Sequence, residues 1–388
     1  MPNLRFPEFT GEWRKERLKN KCSFFSGGTP SSTNKEYYDG NIPFIRSGEI
    51  SKSSTELYLS ESGLNNSSAK IIEEGDLLLA LYGATSGQIA ISKINGAINQ
   101  AILCIRTPYD KKFLKSLWEK NVNKILQAYL QGGQGNLSAE IVKNLYFSFP
   151  SINEQKKIGK LIELLDNQIT TQSKIIEKLQ SLIGGLNDYL QEKLETILSI
   201  SFSEMGEDYS GLSGKSANDF GAGKSFVPYT NVYANTFIDE RKLGLVTIHD
   251  GESQSRVLKG DVLFTLSSET PEEVCYGSVY WGEAKELYLN SFCFGIHITN
   301  DKVFSPYLAY FINSKGFRKK VFPLAQGSTR FNLQKSDFMR KLFHLPSKSN
   351  QKKIFYTLNA LDKKLNVEKS TLEYFQQQKI FLINQMFI

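Results

Sequence analysis

Cysteine, histidine and adjacent prolines are scarce in this 388-residue chain. Its four cysteines, Cys22, Cys104, Cys275 and Cys293, stand far apart without a CxxC spacing. That excludes a redox pair and a thiolate zinc site, and Cys104 and Cys293, set in apolar runs, read as reduced core thiols. The three histidines, His249, His297 and His344, lie away from any cysteine cluster, which argues against a metal centre and histidine-based triads. No two of the 11 prolines are adjacent, so the Asn-Pro-Pro-aromatic signature of amino-methyltransferases is missing. No Gly-x-Gly-x-x-Gly follows a strand to cradle a cofactor. Two Gly-Lys-Ser strings end at Ser216 and Ser225, but Tyr209 and Asn218 stand where a phosphate-binding loop needs its first glycine. No stretch approaches the roughly 18 apolar residues of a membrane span, and the N-terminus lacks an apolar signal core; a soluble cytoplasmic protein is expected.

The 47 Lys and Arg exceed the 40 Asp and Glu, giving +7, a balance that suits an anionic partner. Residues 1–150 hold 18 basic and 14 acidic side chains, whereas 199–345 hold 16 of each. Any phosphate contact in the second stretch therefore falls to local clusters such as Lys315, Arg318, Lys319 and Lys320. The alternative is a solvated helix face.

What the chain does have is a copy of itself. QKKIGKLIELLD, from Gln155 to Asp166, returns 196 residues later as QKKIFYTLNALD, from Gln351 to Asp362. Upstream, Gln131, Gly132, Asn136, Leu137 and Pro150 have counterparts in Gln326, Gly327, Asn332, Leu333 and Pro346. Two copies of this length are modules rather than solenoid repeats, so the expected partner is itself two-fold.

After Pro150 the apolar positions Ile158, Ile162, Leu165, Ile169, Ile176 and Leu179, continuing to Ile197, alternate in steps of four and three around a single polar Gln172. That is a heptad seam. The same template shifted by 196 meets Ile354, Leu358, Leu361, Leu365, Leu372 and Phe375, with Glu368 in the place of Gln172 and Lys379 further on. Gln172 and Glu368 read either as a register device or as a frayed, solvent-facing position. A lone helix exposing such a seam is unstable in water, so the two seams are expected to pack on each other. Gly184 and Gly185 should mark a kink or a close approach of another backbone. The expected organisation is a module at 1–150, a long helix at 151–198, a second module at 199–345 and a second long helix at 346–388. This is an α+β fold with a pseudo-two-fold internal repeat.

The modules resemble each other in outline. EGDLLLAL, from Glu74 to Leu81, matches KGDVLFTL, from Lys259 to Leu266, as a Gly-Asp turn feeding an apolar strand. Each strand opens into a polar loop, YGATSGQ in the first and SSETPEE in the second, and NQAILCI at Asn99 pairs with NSFCFGI at Asn290. Alike stems with unlike tips fit two readers of different targets, although drift of unimportant loops would look similar. Asp261, Glu283 and Lys285 could be imagined as a metal nuclease, with two carboxylates on the ion and a lysine on the developing charge. An ion-paired surface strand gives the same spacing.

Module, long helix, module, long helix, with a Pro-x-x-x-x-Gln-Lys-Lys-Ile helix start after each Gln-Gly…Asn-Leu loop, resembles the specificity subunit of type I restriction-modification enzymes. SGGTPS (Ser26 to Ser31), IPFIRSGEI (Ile42 to Ile50) and the stretch from Gly75 to Ile102 are similar to target recognition domains of that family. SSETPEE departs from the commoner Gly-rich loop. The resemblance implies two mixed α/β target recognition domains, each reading one half of a split double-stranded DNA site. It also implies an antiparallel coiled coil that fixes the spacing between them. Two methyltransferase subunits would dock on the helices, and two restriction subunits would join through the complex. S-adenosylmethionine, ATP and Mg²⁺ would belong to those partners, and this chain would bind no cofactor or metal and catalyse nothing. The competing reading is a coiled-coil scaffold for protein interactions without DNA recognition.

Base readout needs amides, hydroxyls and guanidinium groups on loops. Candidates are Ser47, Tyr82, Thr85, Ser86, Gln88, Gln131, Gln134 and Asn136 in the first module. In the second they are Ser268, Thr270, Gln326, Ser328, Thr329, Arg330 and Asn332. Gln131 and Gln326 could equally cap a turn, and Asn136 and Asn332 could be helix N-caps. Phosphate contacts are assigned to Arg46, Lys315, Arg318 and Lys319.

Overall fold

A computed structural model describes residues 1–130 and 136–388. The chain divides into two compact units, Met1–Ser173 with Ser370–Ile388, and Lys174–Lys369.

In the first unit Ser23–Ser26 (β1), Leu77–Ala80 (β2), Ile89–Ile91 (β3) and Ile102–Arg106 (β4) form an antiparallel sheet in the order β1-β4-β2-β3. β2 is buried along its whole length, as an unbroken Leu-Leu-Leu-Ala run must be when both faces are covered. A second sheet orders Leu57–Leu59, Ile42–Ile45, Gly96–Ile98 and Lys70–Ile72, its middle pair parallel. Arg14–Arg17 pairs with Tyr146–Phe149, which brings the start of the module to its end. The helix Lys111–Leu130 (α1) covers the core, and the helix Ile152–Lys193 (α2) follows.

The second unit repeats this plan. Gly206–Ser210 (β5), Val262–Thr265 (β6), Gly277–Val279 (β7) and Cys293–Ile298 (β8) order as β5-β8-β6-β7, the same permutation as before. Gly244–Val246, Phe220–Val227 and Leu287–Leu289 form the second sheet, again with one parallel pair; among the described residues the fourth strand has no equivalent. Thr196–Ser201 pairs with Leu342–Pro346 as Arg14–Arg17 pairs with Tyr146–Phe149. Short helices Ser305–Phe311 (α3) and Lys315–Val321 (α4) precede the helix Lys348–Met386 (α5).

Each unit holds part of both long helices. In the first, Ile158 and Ile162 share a core cluster with Ile383, Met386 and Phe387, and Asp166 Oδ1 lies 2.7 Å from Lys379 Nζ, so α2 and α5 run in opposite senses there. In the second, Ile183, Leu186 and Leu190 pack on a cluster containing Ile354, Phe355 and Leu358. The seam thus faces the module as well as the partner helix: Ile158 and Ile162 also meet Phe113, Leu117 and Phe149. Ile158, Ile162, Leu165, Ile176, Ile354, Leu358 and Leu365 are buried, and Ile169, Leu179, Leu361, Leu372 and Phe375 half-buried. Gln172 is buried and Glu368 half-buried, so the solvent-facing reading of Gln172 fails.

Two expectations are corrected. α2 stops at Lys193 rather than 198, because Thr196–Ser201 is claimed by the strand pairing with Leu342–Pro346, and Ile197 is 65% exposed. At Gly184 and Gly185 no atom lies within 4 Å of where a Cβ would stand, so the close approach of another backbone is absent among the described residues, and one helix continues through both positions.

The duplicated glutamine has a duplicated task. Gln155 Nε2 donates to Pro150 O at 2.9 Å while its Oε1 accepts from the Asp110 N–H at 3.1 Å. Gln351 Nε2 donates to Pro346 O at 2.9 Å and its Oε1 accepts from the Phe304 N–H at 2.8 Å. Both side chains are buried, and each fastens the start of a long helix to the backbone just before the first helical turn of α1 or α3.

Candidate nucleic-acid interface

β2 and β6 enter the core from equivalent Gly-Asp turns. Gly75 and Gly260 adopt φ of 86° and 99°, a region that favours glycine. The following aspartate folds back on its own turn: Asp76 Oδ2 accepts from the Glu73 N–H at 3.1 Å, and Asp261 Oδ2 from the Leu258 N–H at 2.7 Å. At the far end the strands are fixed alike. The Leu81 N–H donates to Ala101 O and the Leu266 N–H to Phe292 O; the Leu137 N–H donates to Leu81 O at 3.1 Å and the Leu333 N–H to Leu266 O at 2.8 Å. The loops that carry the candidate residues therefore spring from one frame, built twice.

In the first unit the loop after β2 is tight. Gly83 and Gly87 have φ of 75° and 84°, and a Cβ on Gly87 would stand 2.7 Å from Val122 Cγ2. Trp118 Nε1 donates to Gly87 O at 2.8 Å and Ser86 Oγ to Leu81 O at 2.9 Å. These bonds spend the Ser86 hydroxyl inside the loop and leave Tyr82 and Gln88 exposed, with Thr85 half-buried. Ser86 and Gln88 line a groove with Ser51 and Asn123. Half-buried Ser47 stands in the short turn Ser47–Glu49, which packs on β2. Asn136 is exposed beside buried Leu137; the helix that follows is capped by Ser138, whose Oγ accepts from the Ile141 N–H, so Asn136 is no N-cap. Gln131 and Gln134 lie outside the described residues.

In the second unit Ala325–Gln326 (β9) and Phe331–Leu333 (β10) make a hairpin whose β10 also pairs with Ser267–Ser268. Gln326, Asn332, Ser267 and Ser268 are thereby brought into one small sheet. Asn332 lies within the strand and is no cap either, while the Gln326 side chain accepts from Gln334 Nε2 at 2.9 Å. Gly327, at φ 141°, turns the tip, so that Ser328, Thr329 and Arg330 are exposed. Thr270 is exposed, but Ser268 is buried and its Oγ donates to Glu273 Oε2 at 3.1 Å. Tyr233 Oη donates to the other Glu273 oxygen at 2.6 Å, and this bond leads in holding that carboxyl below its usual range. Sequence reasoning missed Phe292. It occupies the place of Ala101 in the NQA/NSF pair, is 53% exposed, and lies under the Arg330 guanidinium at 5.4 Å. The lone aromatic against alanine in otherwise matched strings was the available signal.

Two of the assigned phosphate contacts are engaged inside the protein. Arg318 donates to three backbone carbonyls, of Cys275 at 2.8 Å, Glu272 at 2.6 Å and Val274 at 2.7 Å, and so holds the loop in which Cys275 adopts φ 60°. A guanidinium with that many acceptors is a structural staple. Arg46 takes both oxygens of buried Glu49, at 3.0 and 3.1 Å, and also pairs with Glu56. Burial pushes the Glu49 carboxyl up, but Arg46 and two backbone N–H groups outweigh it and hold it at about 2. Lys315 is exposed beside Asp188, at 3.3 Å, and Lys319 is exposed with no ion pair among the described residues.

The imagined nuclease site does not assemble. Asp261 is buried and receives the Tyr209 hydroxyl at 2.7 Å and His297 Nδ1 at 2.9 Å, whereas Glu283 is exposed and pairs with Lys259. No cluster of three or more His, Cys, Asp or Glu suited to a metal occurs among the described residues. No described helix is long and apolar enough to cross a membrane.

Residues 10–181 and 228–374 match the type I restriction modification DNA specificity domain. The chain is 23% identical to the type I restriction enzyme MjaVIII specificity subunit of Methanocaldococcus jannaschii, over 99% of this chain and 93% of that one. It is 22% identical to the putative MjaX specificity subunit of the same organism, over 97% and 93%. Its fold matches the crystal structure of a type I restriction-modification S subunit from M. genitalium with a TM-score of 0.63 at 16% identity, covering 100% of this chain and 99% of that one.

Proposed function

The chain belongs to the type I restriction-modification DNA specificity family, and on that premise we propose that it reads a two-part double-stranded DNA site, one half with each module. One observation carries this reading: two frames with the same strand permutation and the same anchoring bonds present unlike tips, a glycine-rich loop in one and an acidic loop with a hairpin in the other. Such an arrangement suits two different half-sites held in fixed relation. Gln88, Tyr82, Thr85, Ser47 and Asn136 offer amide and hydroxyl groups for one half, with Gln131 and Gln134 beside them in sequence. Thr270, Gln326, Ser328, Thr329, Arg330 and Asn332 offer them for the other, and Lys315 and Lys319 remain for phosphates. The long helices set the spacer and carry two methyltransferase subunits, through which two restriction subunits join. Adenine methylation and ATP-dependent cleavage, with S-adenosylmethionine, ATP and Mg²⁺, reside on those partners in the cytoplasm.

The test is exchange. Replacing residues 1–150 by another recognition module and mapping methylated positions genome-wide should alter one half of the site and spare the other. A change in both halves, or in neither, would refute the modular reading. Adding or deleting helical turns near Gln172 should change the spacer and leave both half-sites intact.

A further inference from the structure

The hairpin of β9 and β10 presents a cation that nothing in its own unit neutralises. Arg330 stands at its exposed tip and forms no ion pair among the described residues. The neighbouring cations are committed: Arg318 to backbone carbonyls, Lys335 to Asp208 at 2.6 Å. The hairpin is fixed at its base by pairing with Ser267–Ser268, by the Leu333 N–H to Leu266 O hydrogen bond and by the hydrogen bond that Gln334 Nε2 donates to Gln326 Oε1. At the tip a Cβ on Gly327 would stand 2.1 Å from Arg330 O, so the turn brings that backbone close and only glycine fits it. The guanidinium then rests over the Phe292 ring. A guanidinium held by an aromatic face keeps its N–H donors for acceptors met edge-on.

Its surroundings decide between phosphate and base. β9 packs against the turn Pro271–Glu273, and that loop carries Glu269 and Glu272, both exposed. Two carboxylates beside the hairpin repel a phosphate backbone, whereas a base edge is neutral and offers acceptors. Among base edges only guanine presents two acceptors, N7 and O6, spaced for a guanidinium fork. Resting on the two-module reading above, we infer that Arg330 is a specificity-determining residue that recognises one guanine in the half-site of the second module, with Phe292 positioning it. The first module makes no such contact from its corresponding loop, where QGGQGN holds no cation.

The experiment uses the chain assembled with its methyltransferase subunits and a duplex carrying its mapped site. The second module's half is identified as the one that survives exchange of residues 1–150. Each guanine of that half is replaced in turn by 7-deazaguanine, which removes N7 and keeps base pairing. One replacement should weaken binding by the wild-type complex about ten- to hundredfold, the range of a bidentate contact. Arg330→Ala and Arg330→Lys should each weaken binding to the unmodified duplex by a similar factor and become indifferent to that replacement. Lysine keeps the charge and loses the fork, so full rescue by Arg330→Lys would mean a phosphate contact and overturn the proposal. A two-part site with no responsive guanine in that half would overturn the guanine contact alone, while a wild-type complex without a two-part site would overturn the function itself.

Discussion

The two modules solve one problem with the same backbone and different charges. Asp76 and Asp261 close the same Gly-Asp turn, but the partner one strand away is Arg106 in the first unit and His297 in the second. Burial pushes Asp76 up, yet the Glu73 N–H, Arg106 and Lys111 outweigh it and leave the carboxyl below its usual range. Burial dominates at Asp261 and leaves it raised despite the Leu258 N–H, His297 and Tyr209. The frame was kept while its electrostatics were free to change, so the bonds made by backbone and by duplicated polar side chains are what define the fold.

That comparison can be broken most forcefully in the core. Ile162 and Leu358 are cognate seam positions, 1% and 0% exposed. Ile162→Ala and Leu358→Ala should each cost about 2–5 kcal/mol in denaturant unfolding. A large loss in one with almost none in the other would show that the helix starts are not equivalent. Next come the glutamines. Gln155→Ala leaves one N–H and one C=O without that partner, and Gln351→Ala one N–H and two C=O groups, at about 1–3 kcal/mol per stranded group. Losses of the same order are expected, the larger from Gln351→Ala, which also gives up its bond to Lys302 O.

The aspartates should differ in sign. Asp76, depressed in the fold, contributes stability above the unfolded aspartate value of about 3.9, and that contribution is lost as pH falls through its folded value. Glu49 acts the same way, its contribution lost between about 4.3 and about 2. Asp261, raised in the fold, contributes stability at low pH that is lost as pH rises through its folded value. Unfolding midpoints measured from pH 6 to pH 3 should therefore fall less steeply in Asp76→Asn and more steeply in Asp261→Asn. Identical slopes would remove the electrostatic contrast. The smallest effect is at the unduplicated glycines. Gly184→Ala and Gly185→Ala meet nothing and should stabilise by up to about 1 kcal/mol each, read as a raised melting temperature.

Much of this was legible in the sequence because it is local or periodic. The seam of Ile158, Ile162 and Leu165 follows from four-three spacing, and the Gly-Asp turns from a glycine before an apolar run. Contacts between distant segments were not legible. Arg318 reads as a surface cation until the left-handed Cys275 loop is seen wrapped around it, 43 residues back in the chain. Ser268 reads as a loop hydroxyl until β10 buries it, and even Arg46, whose partner Glu49 is only three residues on, reads as a free cation until the turn folds that carboxylate beneath it. In each case a polar side chain satisfied a partner that no pattern predicts. Arg330 stayed exposed for the opposite reason, since it sits at a hairpin tip where it forms no ion pair among the described residues.

The two glutamine bonds at the joint between module and helix read no side chain on the module. Gln155 and Gln351 grip a proline carbonyl and an amide N–H, and it makes no difference that the amide belongs to Asp110 in one case and Phe304 in the other. That part of the socket is main chain and asks of an insert only that it end in proline and start a helix at the right place, while the apolar side chains under Ile158 and Ile162 ask for more. A module exchanged at these two points would keep both glutamine bonds as they are, and the refitting would fall on the apolar side chains, such as Phe113, Leu117 and Phe149, that meet the first turns of the helix.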